Sequence, residues 1–431
     1  EGEGEGEGNA ASSDRPAFTY VELFAGVGGF RAALDRLGGR CVLASEVDPF
    51  ARSSYASNHG GDVPAGDATR LHGIDHVPPH DVLCGGFPCQ PFSSSGRREG
   101  FDDSEGRGTM FLEIVRMARA RRPKALLLEN VRGLLTHDGG RTLRIIEGEL
   151  EGCGYRVSRS VVDAGDILPQ ERRRLFIVGL REDLPGVSDE PFRFPSLPRL
   201  GRGARDVLHR ASRSGPDSLP AEAIEALRLS PRQLDKVRSQ SYTKRFPEAR
   251  FLFDPALPSK TLQSSYTKYM VGSQFVRVDY DKDGDSSPPS RREDDDENDD
   301  DDDNNNSAAM ADDDDWRRFS PREAARLMGF PESWTLCRRR PYHLLGNAVA
   351  PPVVAAIAGP MLGRIGIPAP PDDLLDFGRA RECPADDDRG ESRTPAELWG
   401  WHLAKQLLVE ASPDDSRRDE LVALLESQVY I

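Results

Sequence analysis

From Phe18 to Arg181 the chain alternates short apolar runs with stretches in which apolar positions recur at helical spacing. The runs at 18–24, 41–46, 81–84, 124–129 and 175–180 are largely continuous, as in strands covered on both faces. The first closes in Ala25-Gly26-Val27-Gly28-Gly29, and helical spacing then continues through Leu37. A second helix is predicted over 109–120, just before the run at 124–129. Strands alternating with helices predict an α/β fold built on a doubly wound, mostly parallel sheet.

After Arg181 the alternation stops. Proline-rich stretches surround a helical patch at 220–239 and strand-like pieces at 251–253, 260–263 and 274–278, which predicts a smaller, irregular domain. Order returns at Ser320-Pro321-Arg322-Glu323, a capping box with proline at the first helical position, and Gly329 is placed to end that helix. The domain boundaries read as a disordered acidic tail over 1–16, a first unit over 17–185 that resumes over 317–365, and the irregular unit over 186–316. A linker and a helical extension fill 366–431. A low-complexity insertion occupies about 279–315.

Charge first argues against a nucleic-acid partner and then for one. The net charge is −15, but 14 acidic side chains and no basic one lie between residues 293 and 315. Residues 201–277 hold 14 Lys and Arg against 7 Asp and Glu, so the irregular domain is basic. Acid gathered in tracts, with more Arg than Lys, also suggests adaptation to high salt. The 6 cysteines include no CxxC pair, which argues against a zinc site and a disulfide framework and fits a reducing cytosol. The acidic N-terminus is unlike a secretory signal, and no apolar run reaches the length of a membrane span.

The candidate chemistry sits where predicted strands end. Cys84 lies inside a strand and reads as a small buried hydrophobe. Cys89, in Gly85-Gly86-Phe87-Pro88-Cys89-Gln90, lies on the loop after it, where a thiolate meets a cleft and acts as a nucleophile. The turn at Gly26 and Gly28 lets a ligand approach the backbone, and its spacing is neither the dinucleotide fingerprint nor a P-loop. Glu46, about 20 residues on, can take ribose hydroxyls, and Asp67 can accept from an adenine amino group or simply serve a turn. These residues suit S-adenosylmethionine as well as a dinucleotide. Glu129, before Asn130 and Val131, ends a strand and faces the same cleft as Cys89 if the two strands are neighbours. A thiol and a carboxyl acid suit methylation of a pyrimidine: the thiolate adds to carbon 6, and a proton or hydrogen bond at nitrogen 3 stabilises the charge that develops. In Gln170-Glu171-Arg172-Arg173-Arg174, alternation points Arg172 and Arg174 to one face and Arg173 elsewhere. Leu345 to Pro352 reads as a loop followed by an apolar helix.

Taken together and in this order, Phe24-Ala25-Gly26-Val27-Gly28-Gly29, Pro88-Cys89-Gln90, Glu129-Asn130-Val131, Gln170-x-Arg172-x-Arg174 and Gly346-Asn347-x-Val349 closely resemble the cytosine-5 DNA methyltransferase family. The resemblance covers 17–181 and 317–360. It implies a methyltransferase fold using S-adenosylmethionine, with Cys89 attacking a flipped cytosine, Glu129 engaging the base, and Arg174, with Arg172 close by, holding its carbonyl. It assigns Phe24, Gly26 and Glu46 to the cofactor, with Asn347 and Val349 returning to that site from the far end of the chain. Pro88, Gln90 and Asn130 belong to the loop facing base and DNA. The irregular basic domain takes the place of the family's target-recognition domain, and Pro258-Ser259-Lys260-Thr261-Leu262 looks like a recurring stretch of such domains. The stretch 93–108 suits a mobile loop closing over DNA. The acidic insertion and the last 65 or so residues depart from the pattern.

The expected partner is double-stranded DNA, with a cognate restriction endonuclease if the enzyme is of the restriction-modification and not the orphan type. The expected setting is a monomer in the cytoplasm, at the nucleoid, with no metal. Two other functions share these residues. One is the family's tRNA-methylating branch, faintly matched by Tyr266-Thr267-Lys268-Tyr269; the other is a catalytically inactive DNA-binding regulator.

Overall fold

The computed structural model describes residues 16–71, 76–88, 110–187, 190–209, 219–252, 254–269, 273–278 and 315–368. The expectations for the N-terminal tail, for Cys89, Gln90 and the stretch 93–108, for the acidic insertion and for the C-terminal extension fall almost wholly outside these residues.

The chain enters through β1 (Phe18–Leu23), α1 (Gly29–Leu34), β2 (Gly39–Ser45), α2 (Pro49–Asn58) and β3 (Val82–Gly86). It continues through α3 (Met110–Arg121), β4 (Ala125–Val131), α4 (Arg141–Glu151), β5 (Tyr155–Asp163) and β6 (Arg173–Arg181). The six strands form one sheet in the order β2-β1-β3-β4-β6-β5. β2, β1, β3 and β4 are mutually parallel, and β6 runs antiparallel to both β4 and β5. The expected doubly wound, mostly parallel sheet is therefore present.

Continuous apolar runs do place a core on each face. Val82, Cys84, Ala125, Leu127, Phe176 and Val178 point to one core, shared with α1. Leu83, Leu126, Leu128, Leu175 and Ile177 point to the other, shared with α3 and α4. Cys84 is buried, its thiol against the Val21 carbonyl at 3.4 Å, and burial pushes that thiol well up. The edge strand β5 was not expected. Only Tyr155, Val157 and Val161 mark its inner face, while arginines and serines intervene.

The irregular domain holds α5 (Ala221–Leu227), α6 (Pro231–Arg238), α7 (Ser241–Arg245), β7 (Phe251–Leu252), β8 (Phe275–Arg277) and β9 (Trp316–Arg317). The single helix expected over 220–239 is two, because Pro231 forces Ser230 into an extended conformation and a new helix begins there. β7, β8 and β9 form a small sheet, and the antiparallel pair Val276 and Arg317 brackets residues 279–314. Residues 260–263 form no strand; Ser259 instead bridges to Gln170.

The chain then returns through α8 (Pro321–Leu327), α9 (Pro341–Asn347) and α10 (Pro351–Arg364). The capping box forms as expected, with Ser320 Oγ accepting from Glu323 N at 3.1 Å and Glu323 accepting from Ser320 N at 2.6 Å. Residues 345–347, expected in a loop, make the last turn of α9. Contrary to expectation, Pro341–Arg364 meets the length and hydropathy of a membrane span. It is two helices, and α10 is buried against α1 in the core.

Candidate functional site

The parallel strands deliver their carboxyl ends to one edge, the place where open α/β sheets bind ligands. Leu23 pairs with Gly85, and Gly85 with Leu128. The turn after β1 and Glu129 on β4 therefore stand two strand spacings apart, about 10 Å.

The turn is built from left-handed residues. Phe24 has φ 55°, unusual for a side chain larger than glycine and a strain that such sites hold in place. Gly26 follows with φ 57°, and a Cβ there would meet no atom within 4 Å. The turn thus opens onto free volume. Glu46 is beside it. One carboxylate oxygen accepts from Gly26 N at 2.8 Å and the other from Asp48 N at 2.8 Å. Asp48 in turn caps α2. Each Glu46 oxygen keeps a lone pair for a hydroxyl. Asp67 follows Ala65, which bridges Ser45 at the sheet's edge. It caps a short 3-10 turn, accepting from Thr69 N at 2.9 Å, and that bond holds its carboxyl below the usual range. The segment before Asp67 meets the sheet through the single Ser45–Ala65 bridge.

The far end of the chain does return to this turn. A Cβ on Gly29 would lie 2.6 Å from the Val349 carbonyl, so only glycine permits this approach. Asn347, two residues earlier, is exposed with its amide 3.4 Å from His343 Nε2.

On the other side of the edge, Glu129 Oε1 is 3.2 Å from Arg174 Nε. Both side chains are mostly buried, at 12% and 18% exposure. Burial pushes the Glu129 carboxyl above its ordinary range, while Arg174 and then Arg172 pull it back. Asn130 is buried and donates from Nδ2 to the Phe87 carbonyl at 3.2 Å, fastening the loop that leads through Pro88 to Cys89. Cys89 and Gln90 lie outside the described residues.

The three arginines separate as alternation predicts. Arg173 turns outward to Asp163 at 2.7 Å. Arg172 shares the inward face, but its guanidinium is occupied. It donates to the carbonyls of Leu262 at 3.1 Å, Gly346 at 3.0 Å and Ala348 at 2.7 Å, at 3% exposure. The expectation that Arg172 joins Arg174 at the base thus meets a side chain spent on backbone. Gln170, quoted in the motif without a role, does similar work: it donates to Leu327 O at 3.0 Å and accepts from Leu262 N at 2.8 Å. Alternate positions on one short segment thus tie the sheet to the irregular domain and to the returning chain.

The chain matches the family model for C-5 cytosine-specific DNA methylases over residues 18–362. It is similar to the Type II methyltransferase M.NlaX of Neisseria lactamica, 34% identical over 351 residues that cover 80% of this chain and 96% of that one. It is also similar to the Type II methyltransferase M.HpaII of Haemophilus parainfluenzae, 33% identical over 359 residues, 82% of this chain and 91% of that one. Among solved structures, S. pombe Dnmt2 methyltransferase shares the fold with a TM-score of 0.54 at 19% identity, covering 80% of this chain and 98% of that chain.

Proposed function

Because the chain belongs to the C-5 cytosine-specific DNA methylase family, a DNA cytosine-5 methyltransferase, we propose that it works through a covalent Cys89 adduct and uses S-adenosylmethionine. The observation that carries this reading is the buried Glu129–Arg174 pair at 3.2 Å, fastened by Asn130 to the loop that leads to Cys89.

The target cytosine must leave the duplex to reach this edge, as bases do in enzymes that act on them. Arg174 then holds the base carbonyl. Glu129, whose carboxyl burial pushes up against the pull of Arg174 and Arg172, donates its proton to ring nitrogen 3. The Cys89 thiolate adds to carbon 6, and the electron pair of the 5,6 double bond makes carbon 5 nucleophilic. S-adenosylmethionine, held at the turn of β1, would supply the electrophilic methyl group that carbon 5 takes as the carbon–sulfur bond breaks, leaving S-adenosylhomocysteine. Loss of the carbon 5 proton and expulsion of the thiolate restore the aromatic ring. Arg172 and Gln170 act as positioning residues that hold the recognition segment against the sheet.

The open turn at Gly26 fits the methyl donor, with Glu46 as the acceptor for its ribose hydroxyls and Asp67 for its adenine amino group. Phe24, Asn347 and Val349 complete that side. The relatives' designation as Type II methyltransferases supports a role in restriction-modification, with a cognate endonuclease recognising the same DNA site. We read the working unit as a monomer.

Incubation of the enzyme with methyl-labelled S-adenosylmethionine and either plasmid DNA or tRNA tests the reading. Label is expected in DNA, at carbon 5 of cytosine by bisulfite sequencing. Label confined to tRNA would overturn it.

A further inference from the structure

The returning chain grips α2 at both ends. At the first end Asp48 divides its carboxylate between two tasks. Oδ1 accepts from Phe50 N at 2.8 Å and Ala51 N at 3.1 Å, which caps the helix. Oδ2 accepts from Arg340 at 3.1 Å, and the same guanidinium lies 5.8 Å over the Phe50 ring. The backbone N–H of Asp48 meanwhile donates to Glu46 Oε1 at 2.8 Å. Arg340 is also the cap of α9, held at a left-handed φ of 60°, and α9 ends at Asn347. One guanidinium thus stands between the elements that carry Glu46 and Asn347.

The second grip lies at the far end of α2, 10 residues or about 15 Å on. Asn58 donates from Nδ2 to the Thr335 carbonyl at 2.9 Å, and its Oδ1 accepts from Thr335 N at 2.7 Å. The side-chain amide pairs with one backbone unit much as a neighbouring strand would, a match that needs both a donor and an acceptor. His59 follows and backs the glycine turn. A Cβ on Gly28 would lie 2.4 Å from His59 Nε2. Trp334, next to Thr335, stands edge-on to the same imidazole with ring centroids 5.3 Å apart. The supports of Glu46 and of Gly28 are therefore both fastened by residues 334–340.

The geometry points to Arg340 and Asn58 as positioning residues of the cofactor site. Arg340 acts through Asp48 on Glu46, and Asn58 acts through His59 on the turn at Gly28. Together they hold the ribose acceptor and the turn at a fixed spacing. This inference rests on the S-adenosylmethionine reading proposed above. An exposed ion pair adds little to global stability, and the Arg340 and Asp48 side chains are 46% and 26% exposed. The effect of Arg340 therefore belongs in cofactor affinity and not in Tm, because a loosened supporting shell lets the contacts it holds drift.

Isothermal titration of S-adenosylmethionine into the full chain and its variants tests this. Arg340→Gln should raise Kd about fivefold at parental Tm, and Arg340→Lys, which restores the charge, should return it to within about twofold of the parent. Asn58→Asp, which sets a carboxylate against the Thr335 carbonyl, should raise Kd about tenfold. KM for S-adenosylmethionine should rise in step, while KM for DNA stays at the parental value. Combined with Glu46→Ala, the Arg340→Gln increment should shrink to less than about twofold, because its route runs through Glu46; a merely structural role would leave it undiminished. A parental Kd in either Arg340→Gln or Asn58→Asp, or an undiminished increment in the Glu46→Ala background, would overturn the inference alone. A parent that binds no S-adenosylmethionine would overturn the cofactor reading, and this inference with it.

Discussion

Two carboxylates stand at the same edge of one sheet, and their surroundings differ. Glu46 receives backbone N–H groups on both oxygens, from Gly26 and Asp48. Glu129 has the Arg174 guanidinium at 3.2 Å and Arg172 beyond it, and burial pushes its carboxyl up. The first arrangement fixes an anionic acceptor in place, which suits binding. The second raises the carboxyl's affinity for a proton, which suits chemistry. The same residue type, at the ends of two strands of one sheet, is directed to different work by its surroundings.

The difference can be broken from either side. Glu129→Gln removes the proton donor while keeping the volume, and kcat should fall by about 10²–10⁴ with cofactor Kd unchanged. In the parent, kcat should decline as pH rises through the elevated Glu129 pKa, because the protonated form is lost; the Gln variant should lack that limb. Glu46→Ala should act in the opposite sense, weakening cofactor binding by about tenfold with a smaller effect on kcat at saturation, measured by isothermal titration. It should also lower stability by about 1–3 kcal/mol, since Gly26 and Asp48 lose their acceptor.

Gly29→Ala tests the closure between the two ends of the chain. The added methyl would meet the Val349 carbonyl at 2.6 Å, so a destabilisation of about 1–3 kcal/mol is expected by denaturant titration, with weakened cofactor binding.

The smallest effect concerns Glu22, buried beneath the turn on β1 with Tyr55 donating to it at 3.1 Å. Burial pushes its carboxyl up to about 8. Its neutral form is the folded one, so its contribution is present below the ordinary carboxylate range and is lost as pH rises through about 8. Parental Tm should fall across that window, and Glu22→Gln should flatten the fall.

Local features were legible in the sequence. The strand ends, the glycine turn, the capping box at Ser320 and the division of Arg173 from its neighbours follow from periodicity and residue type. Long-range partners were not. Arg172 has an inward position by alternation, but its acceptors at Leu262, Gly346 and Ala348 come from segments that only the folded chain brings together. Gln170 was hidden for the same reason. The antiparallel placement of β6 beside β4, which sets Arg174 against Glu129, is a matter of topology and not of either strand's composition. The arrest of 345–347 in α9 escaped notice because glycine and asparagine at its end read as a loop.

The central claim is that this edge delivers a cytosine to Cys89. Duplex DNA carrying 5-fluorocytosine tests it directly, because fluorine at carbon 5 cannot leave as the proton does and the adduct persists. With S-adenosylmethionine present, the parent should form a complex with DNA that survives denaturing electrophoresis, and Cys89→Ala should form none while still binding DNA. No stable complex with the parent, or an equal yield from Cys89→Ala, would contradict the account.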